Sequence, residues 1–292
     1  MNIKYSIIIP SYRQHEELQQ CLIALSQQVD IVACEILVVY HMGDVPDTLM
    51  NAHRSVRWII NENAPNPYQS RNLGAQHALG AYFCFIDAKC IPRNNWLSQL
   101  DNYIHQVPEA QVLAGQISVN SIKDDLYDVA HGLLYLNNKK NVERGYGAPA
   151  GHLIIHHDVF TEFGGFDTRS VSGNDIIYTR RLLTAGVDIH YVHQVIVDYE
   201  GLPYDLLKVK MRKYAKGVVK HKNITLKQIL SGFFPMRPLL FLDNLAYRNM
   251  QDLTIVNKLK LWIILWQLKV YYTAYIIQAQ LHRCFGAFDD KG

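Results

Sequence analysis

The chain has 292 residues and an ordinary apolar content of 49%, which suffices for one large α/β domain with an appendage, or for two domains. Its five cysteines include no CxxC pair, a usage typical of a reducing compartment that argues against cysteine-held zinc. The apolar run at residues 7–9 ends at Pro10 and is too short for a signal peptide. We therefore expect a cytoplasmic protein.

The net charge of +3 conceals two parts of the chain with opposite net charge. Residues 1–204 carry 14 Lys/Arg against 21 Asp/Glu, and residues 205–292 carry 15 against 5. A basic end on an acidic body favours an anionic partner. We expect a membrane surface and not a nucleic acid, because no nucleic-acid-binding motif accompanies the basic half.

The first 90 residues alternate between apolar runs and segments with helical spacing. Four strands are predicted, at Tyr5–Pro10, Glu35–Tyr40, Val56–Ile60 and Tyr82–Asp87. Helices are predicted over His15–Gln28, Pro46–His53 and Gln69–Leu79, with a break at Gly43-Asp44 after the second strand. This alternation indicates βαβ units and a mostly parallel sheet flanked by helices, an α/β fold.

Ligands of such sheets bind beyond the carboxyl ends of the strands. Three polar segments follow predicted strands: Ser11–Arg13, Tyr40–Asp44 and Asp87–Lys89. We expect them to meet at one edge of the sheet and to form the site.

The second half of the chain is less regular. Strands are predicted at Val112–Val119, Asp188–Val192 and Val195–Tyr199, with an extended segment toward Ile155 and a helix over Asn174–Ala185. Beyond residue 205 the pattern is helical, with a break at Pro235 and Pro238.

The basic end contains a run of lysines and arginines at 208–222 and an aromatic-rich apolar segment at 259–280. The segment is long enough to span a bilayer, but Lys269 lies at its centre, which favours a helix in the membrane interface. Packing onto the protein or onto a second subunit is an equal alternative, so oligomerisation through these helices stays open. The basic run either binds diphosphate or forms a solvated helix face.

Five motifs occur in order along the first 175 residues. They are Ser6-Ile7-Ile8-Ile9-Pro10-Ser11-Tyr12, Gln69-Ser70-Arg71-Asn72-Leu73-Gly74, Phe85-Ile86-Asp87, Gly164-Gly165-Phe166-Asp167 and Ser172-Gly173-Asn174-Asp175. Together they resemble the inverting family 2 glycosyltransferases, which have the GT-A fold of the nucleotide-diphospho-sugar transferases. The resemblance covers residues 4–217. It implies a GT-A domain at 1–217, followed by a basic, amphipathic helical extension at 218–292.

The resemblance implies transfer of a sugar from a nucleotide-sugar donor to a glycan or lipid-linked acceptor, by an enzyme of cell-envelope polysaccharide synthesis at the inner face of the membrane. By position, Asp175 is the catalytic base; alternatively, it is a carboxylate that favours a helix N-terminus. The donor side comprises Pro10, Ser11, Tyr12, Arg13, Tyr40, Arg71 and Asp87. The acceptor side comprises His152, Gly165, Phe166, Asp167 and Asn174.

Several of these residues also have purely structural interpretations. Arg71 is a diphosphate ligand or a structural ion-pair partner. Ser11 lines the nucleotide pocket or caps a helix, and Tyr40, where the family has a uracil-reading Asp, stacks on a base or packs at a strand end. His156-His157 suggests a metal pair, but no third ligand with suitable spacing is evident, so surface or capping roles are favoured.

The family holds a divalent cation with an Asp-x-Asp pair, and here the second carboxylate is replaced by Lys89. The late histidine of the family aligns with Tyr199, so two metal contacts are altered together. An ammonium group can offset charge on a departing diphosphate, which suggests that Lys89 replaces the cation and that no cofactor is required. Two alternatives remain: weak Mg²⁺ or Mn²⁺ binding through Asp87, or a catalytically silent GT-A domain acting as a binding or scaffold partner in a glycan-assembly complex.

Overall fold

A computed structural model describes residues 3–28, 33–41, 45–63, 66–120, 126–169, 172–221, 223–246 and 253–285. The predicted break at Gly43-Asp44 lies outside the described residues. The strands are β1 (Tyr5–Ser11), β2 (Cys34–His41), β3 (Val56–Asn61), β4 (Tyr82–Ile86), β5 (Cys90–Pro92), β6 (Val112–Asn120), β7 (His152–His156) and β8 (His190–Glu200).

These strands form one sheet in the order β3-β2-β1-β4-β7-β6-β8-β5. The β3-β2-β1-β4 half is parallel throughout, as the alternating pattern predicts. Strand β7 pairs antiparallel to β4 and β6, whereas β6 and β8 are parallel. The predicted mostly parallel α/β sheet is therefore confirmed, with antiparallel pairing around β7 and at the β5 edge.

The helices of the first part are α1 (His15–Ser26), α2 (Asp47–Ala52), α3 (Pro67–His77), α4 (Trp96–Gln106), α5 (Leu126–Tyr135), α6 (Asn138–Glu143), α7 (His157–Glu162) and α8 (Asn174–Thr184). The C-terminal helices are α9 (Tyr204–His221), α10 (Leu226–Gly232), α11 (Pro238–Ala246) and α12 (Ile255–Phe285). The connection between α10 and α11 carries the predicted proline break.

The contact between α3 and β1 places α3 against the carboxyl edge of the sheet. Asn66 begins the helix by accepting hydrogen bonds from the Tyr68 and Gln69 amides, and Pro67 occupies its first turn. A Cβ at Gly74 would lie 2.5 Å from Ile8 Cγ2, so only glycine permits this approach of helix to strand. On the sheet side, Ile8 belongs to the same buried core as Tyr68 and Ala75 of α3.

The chain divides into two compact units. The first comprises Met1–Asn120 and Asn137–Glu200, and the second comprises Ser121–Leu136 and Gly201–Gly292. The division falls at Glu200, whereas the sequence predicts a boundary at 217, and α5 joins the C-terminal helices. In the second unit, Ala130 and Leu133 of α5 share a core with Leu207 and Met211 of α9 and with Leu261 of α12. None of the described helices is long and apolar enough to cross a bilayer.

Candidate active site

Strands β1, β2 and β4 end at one edge, as the sequence predicts. Ser11 at the end of β1 is level with Tyr40 near the end of β2, and Asp87 follows β4 directly. Helix α3 brings a cation to this edge. The Arg71 side chain is only 6% exposed, and its Nη2 atom donates to Asp87 Oδ1 at 2.5 Å.

The surroundings of Arg71 explain its orientation. Its guanidinium carbon lies 5.7 Å from the centre of the Tyr68 ring, within the range of a cation–π contact. Its buried Nε atom has no hydrogen-bond partner among the described residues. Arg71 therefore forms the structural ion pair that one of the two interpretations predicts.

Asp175 lies in the first turn of α8, after Gly173 with a φ of 82°. The Tyr68 hydroxyl donates to its Oδ1 at 3.0 Å, and the Ala150 amide donates to its Oδ2 at 2.9 Å. Its Oδ1 also accepts from the Ile176 amide at 3.0 Å. Asp175 is thus a helix N-terminal carboxylate, as the structural alternative predicts, and it is held in one orientation from two directions.

The segment Ala150-Gly151 lies between the two carboxylates. While Ala150 contacts Asp175, the Gly151 carbonyl accepts from the Asp87 amide at 3.3 Å. A Cβ at Gly151 would lie 3.0 Å from Asp87 Oδ2, closer than an ordinary contact. The structure therefore brings together Asp87, Arg71 and Asp175, and it adds Tyr68 and Gly151, which sequence analysis did not select.

Lys89 occupies the place of the second metal-binding Asp. Its Nζ lies 3.4 Å from Glu17 Oε1 on α1, and the two side chains are 27% and 36% exposed. Tyr199 lies on β8 opposite Cys90, the residue that follows Lys89. The ion pair to Glu17 is neither of the orientations that the sequence suggested, toward Asp87 or toward donor phosphates. Because it is partly exposed, such a pair contributes only about 0–1 kcal/mol and exchanges readily.

On the predicted donor side of this edge, Tyr40 packs at the strand end and is not placed to stack on a base. Tyr40 is 3% exposed, and its hydroxyl lies 3.1 Å from His15 Nδ1, so its ring offers no open face for stacking. The exposed aromatic residue is Tyr12, which follows Pro10 and Ser11. Arg13 has a φ of 53°, and its guanidinium lies over the Tyr12 ring at 5.2 Å.

Two buried polar groups at this edge lack partners among the described residues. They are Ser11 Oγ and both ring nitrogens of His41. The His41 ring lies 5.3 Å from the Tyr12 ring in an edge-on arrangement, and burial lowers the pKa of His41, which favours the neutral imidazole. A neutral ring presents one donor and one acceptor. Sequence analysis included His41 in the segment Tyr40–Asp44 but did not select it as a donor-side residue, although its position at the end of β2 is a usable signal.

His152 lies in the interior and not at the acceptor surface. It is 0% exposed, Trp96 Nε1 donates to its Nε2 at 2.8 Å, and its Nδ1 lies 3.1 Å from the Gln116 carbonyl oxygen. Burial lowers its pKa to about 3. A Cβ at Gly115 would lie 2.0 Å from this ring, so the glycine makes its space. This position corrects the prediction of direct acceptor contact, since the ring has no surface to offer.

The other predicted acceptor-side residues build the turn that precedes α8. Gly165 has a φ of 70°. The Asn72 side chain forms two hydrogen bonds with the backbone of Phe166: it accepts from the Phe166 amide and donates to the Phe166 carbonyl. The Asn174 amide group donates to the Asp167 carbonyl. These contacts fix the start of the helix that carries Asp175.

The His156-His157 pair lies at the other end of β7. His156 accepts from the Asp158 amide and caps α7, as predicted. Asp158 adds a third potential ligand to the pair: its carboxylate oxygens lie 2.9 Å from His157 Nε2 and 3.5 Å from His156 Nδ1. His156 is level with Tyr82 at the start of β4, so the cluster is at the edge opposite Asp87.

The described residues around Asp87 fit a protein-held divalent cation poorly. Mg²⁺ and Mn²⁺ require several oxygen ligands. Here Arg71 binds one oxygen of Asp87, and Lys89 and Tyr199 stand where the resemblance implies a carboxylate and an imidazole. The charges at this edge therefore oppose a second cation.

This sheet, with its site at the carboxyl edge, defines the GT-A class of fold, which confirms the predicted fold. A mannosyltransferase from Pyrobaculum calidifontis, solved with GDP-Man and Mn²⁺, is similar with a TM-score of 0.60 at 13% identity, over 98% of this chain and 88% of that one. TarS from S. aureus is similar with a TM-score of 0.54 at 15% identity, over 95% of this chain and 54% of that chain.

The chain belongs to the family described as Glycosyl transferase family 2, whose model matches residues 6–161. Glycosyltransferase AglE of Haloferax volcanii is 25% identical over 89% of this chain and 91% of its own length. A pre-mycofactocin glycosyltransferase of Mycobacterium tuberculosis is 22% identical over 64% of this chain and 42% of its own length. Family membership confirms the predicted enzyme class, a glycosyltransferase.

Proposed function

We propose that this glycosyltransferase moves one sugar from a nucleotide-diphosphate donor to an acceptor hydroxyl with inversion at carbon 1. The observation that supports this most is the placement of Asp87 with Arg71 and of Asp175 on either side of Ala150-Gly151. One carboxylate is thereby neutralised by a guanidinium, and the other is positioned by hydrogen bonds. Departure of the diphosphate needs a cation on the donor side, and attack by the acceptor hydroxyl needs a positioned base.

In the proposed reaction, Asp175 accepts the proton of the acceptor hydroxyl while that oxygen forms a bond to carbon 1 of the sugar. The bond from carbon 1 to the phosphate oxygen breaks on the opposite face, and the diphosphate leaves with the electron pair. Tyr68 and the Ala150 amide hold Asp175 in place for the transfer.

We infer that the departing charge is offset by side-chain cations and that no metal is required. Arg71 is held at the donor side by its pair with Asp87, and Lys89 can leave its exposed pair with Glu17. An ammonium within about 4 Å of a phosphate oxygen contributes roughly 4 kcal/mol at an effective dielectric constant of 20, before desolvation is subtracted. Mg²⁺ or Mn²⁺ bound through Asp87 and the donor phosphates is the alternative.

We further propose a glycan or lipid-linked acceptor of envelope polysaccharide synthesis, reached by a cytoplasmic protein at a membrane surface. The strongly basic C-terminal part of the chain, residues 205–292, supports this location. The name of the relative AglE, a glycosyltransferase, supports transfer in general and does not specify the acceptor.

Product release from a panel of UDP-, GDP- and dTDP-sugars tests the function, with Asp175→Asn as the inactive variant. Asp188, an acid beyond the C-terminal end of α8, gives the matched control Asp188→Asn. We expect turnover by the wild type and by the control, and a loss of at least about a hundredfold in the Asp175 variant. Absence of nucleotide binding in calorimetry would support the alternative, a silent scaffold domain, which the Lys89–Glu17 pair favours.

A further inference from the structure

The second compact unit exposes many large apolar side chains. Twelve of them lie between residues 226 and 266: Leu226, Leu230, Phe233, Phe234, Leu239, Leu240, Leu242, Ile255, Val256, Leu259, Ile263 and Trp266. Scattered exposed apolar residues are normal, but a dense set indicates an interaction surface. Their arrangement on α12 and its neighbours shows whether they form one face.

Helix α12 has apolar residues on two opposite sides. Leu261, Leu265 and Leu268 are buried and pack in the core shared with α5 and α9. Leu259, Ile263 and Trp266 follow the same three- and four-residue spacing about half a turn away, and all three are exposed. The first side accounts for folding of the unit, and the second is exposed in the part of the chain that the structure describes.

Hydrogen bonds fix the connection between α10 and α11 beside the exposed side of α12. Trp266 Nε1 donates to the Phe233 carbonyl at 2.9 Å, and Lys269 Nζ donates to the Phe234 carbonyl at 2.9 Å. These contacts use the backbone carbonyls, and both residues are exposed, Phe233 at 43% and Phe234 at 68%. We call Phe233, Phe234, Leu259, Ile263 and Trp266 the apolar face.

The charge of the segment that carries the apolar face is mostly positive. Residues 206–285 contain 14 Lys/Arg and two Asp/Glu. Arg237 and Lys260 are exposed near the apolar face, and Lys227 is exposed on α10. A second copy of this chain would bring like charges together, whereas anionic lipid headgroups are complementary to them.

We propose that the apolar face inserts into the interface of an anionic phospholipid bilayer, with α12 lying along the membrane plane. Aromatic rings and leucines occupy the boundary between headgroups and acyl chains, and the flanking cations remain at the headgroups. This role of the apolar face rests on the proposed transferase function, because membrane insertion would hold the enzyme where a lipid-linked acceptor is presented.

Cosedimentation of the intact protein with vesicles tests this. The vesicles are phosphatidylcholine alone, or phosphatidylcholine with about one third phosphatidylglycerol. The double variant Phe234→Ser/Ile263→Ser removes two side chains of the apolar face and leaves the hydrogen bonds of Trp266 and Lys269 in place. Leu79→Ser is the matched control, because Leu79 is equally exposed, at 68%, in the first unit.

We expect the wild type and the control to bind the anionic vesicles and to dissociate as salt is raised. The double variant should partition at least about tenfold more weakly, with an unchanged melting temperature. Equal binding by the double variant, or no binding by the wild type, would overturn the proposal. So would a dimer in sedimentation velocity that the double variant alone abolishes, since the apolar face would then bind a second copy.

Calorimetric titration of the same samples with the nucleotide sugars separates this inference from the proposed function. Nucleotide binding without vesicle binding would overturn the membrane face alone. Vesicle binding without nucleotide binding would support the membrane face and count against the transferase.

Discussion

Tyr68 and Asp175 are joined by a hydrogen bond of 3.0 Å, although they lie 107 residues apart in the chain. The same tyrosine ring lies beneath the guanidinium of Arg71, which binds Asp87. One side chain on α3 therefore contacts both the proposed base and the cation of the donor side. This relationship makes the position of the base sensitive to a residue that does not take part in the chemistry.

Tyr68→Phe should lower kcat by about tenfold to a hundredfold, the value of one hydrogen bond to a charged group. The donor dissociation constant should change little, because the ring beneath Arg71 is retained. Tyr178→Phe is the matched control: Tyr178 belongs to the same aromatic cluster, and its buried hydroxyl has no partner among the described residues. Steady-state kinetics at saturating donor make the comparison. Wild-type kcat in Tyr68→Phe would show that this hydrogen bond does not position Asp175.

Arg71→Gln should destabilise the fold by about 2 kcal/mol, less than a fully buried pair because Asp87 is 39% exposed. Urea unfolding measures this free energy. Arg169→Gln provides the control, since Arg169 is 82% exposed in its pair with Asp167 and its replacement should leave stability nearly unchanged. Equal effects in the two variants would contradict a buried role for Arg71.

His41→Phe should leave stability unchanged or raise it by about 1 kcal/mol, because it removes buried ring nitrogens that lack described partners. The same variant should bind nucleotide sugars about tenfold more weakly, if the ring contacts the base. His53→Phe is the control, because His53 also has a buried nitrogen without a described partner but lies beyond α2, before β3. Calorimetry and thermal unfolding together make the test. An unchanged nucleotide affinity in His41→Phe would show that His41 does not contact the donor.

His152 gives a prediction for stability against pH. Its pKa is about 3 in the folded protein and near 6.5 when exposed, so the unfolded chain binds the additional proton between these values. Stability from this group is complete above pH 6.5 and falls as the pH decreases toward 3, by at most about 1.4 kcal/mol per pH unit.

His152→Asn should therefore be less stable than the wild type at pH 7 and should lose less stability between pH 7 and 4. The exposed His77 provides the control His77→Asn, whose pH dependence should match that of the wild type. Urea midpoints across this range are the measurement. If the stability of His152→Asn fell with decreasing pH as steeply as that of the wild type, groups other than His152 would account for the pH dependence.

The sequence predicts the parallel half of the sheet well, because each buried strand there is a continuous apolar run such as Ile7–Ile9. It predicts two strands at 188–199, where the structure has the single strand β8. The pairing of β8 with β6 jumps between Gly115 and Gln116, from Val192 to Ile196, so polar His193 lies in an irregular stretch that interrupts the apolar pattern.

Three residues that the motifs selected, Asp87, Arg71 and Asp175, lie around Ala150-Gly151. What the motifs could not supply are side-chain partners distant in the chain. Glu17 and Lys89 are 72 positions apart, and nothing local in either segment indicates that they pair. Likewise, the alternation of polar and apolar residues does not reveal that His152 is buried in a space left by Gly115.

The most direct test of the central claim, that Lys89 replaces a metal ion, is the rate of sugar transfer in EDTA. The wild type should be fully active in EDTA, and Lys89→Ala should lose about tenfold to a hundredfold, a part of the roughly 4 kcal/mol available to an ammonium at a phosphate. Glu17→Gln, which releases Lys89 from its ion pair, should keep or exceed wild-type activity. A strict requirement for added Mn²⁺, or equal rates for Lys89→Ala and the wild type, would contradict the claim.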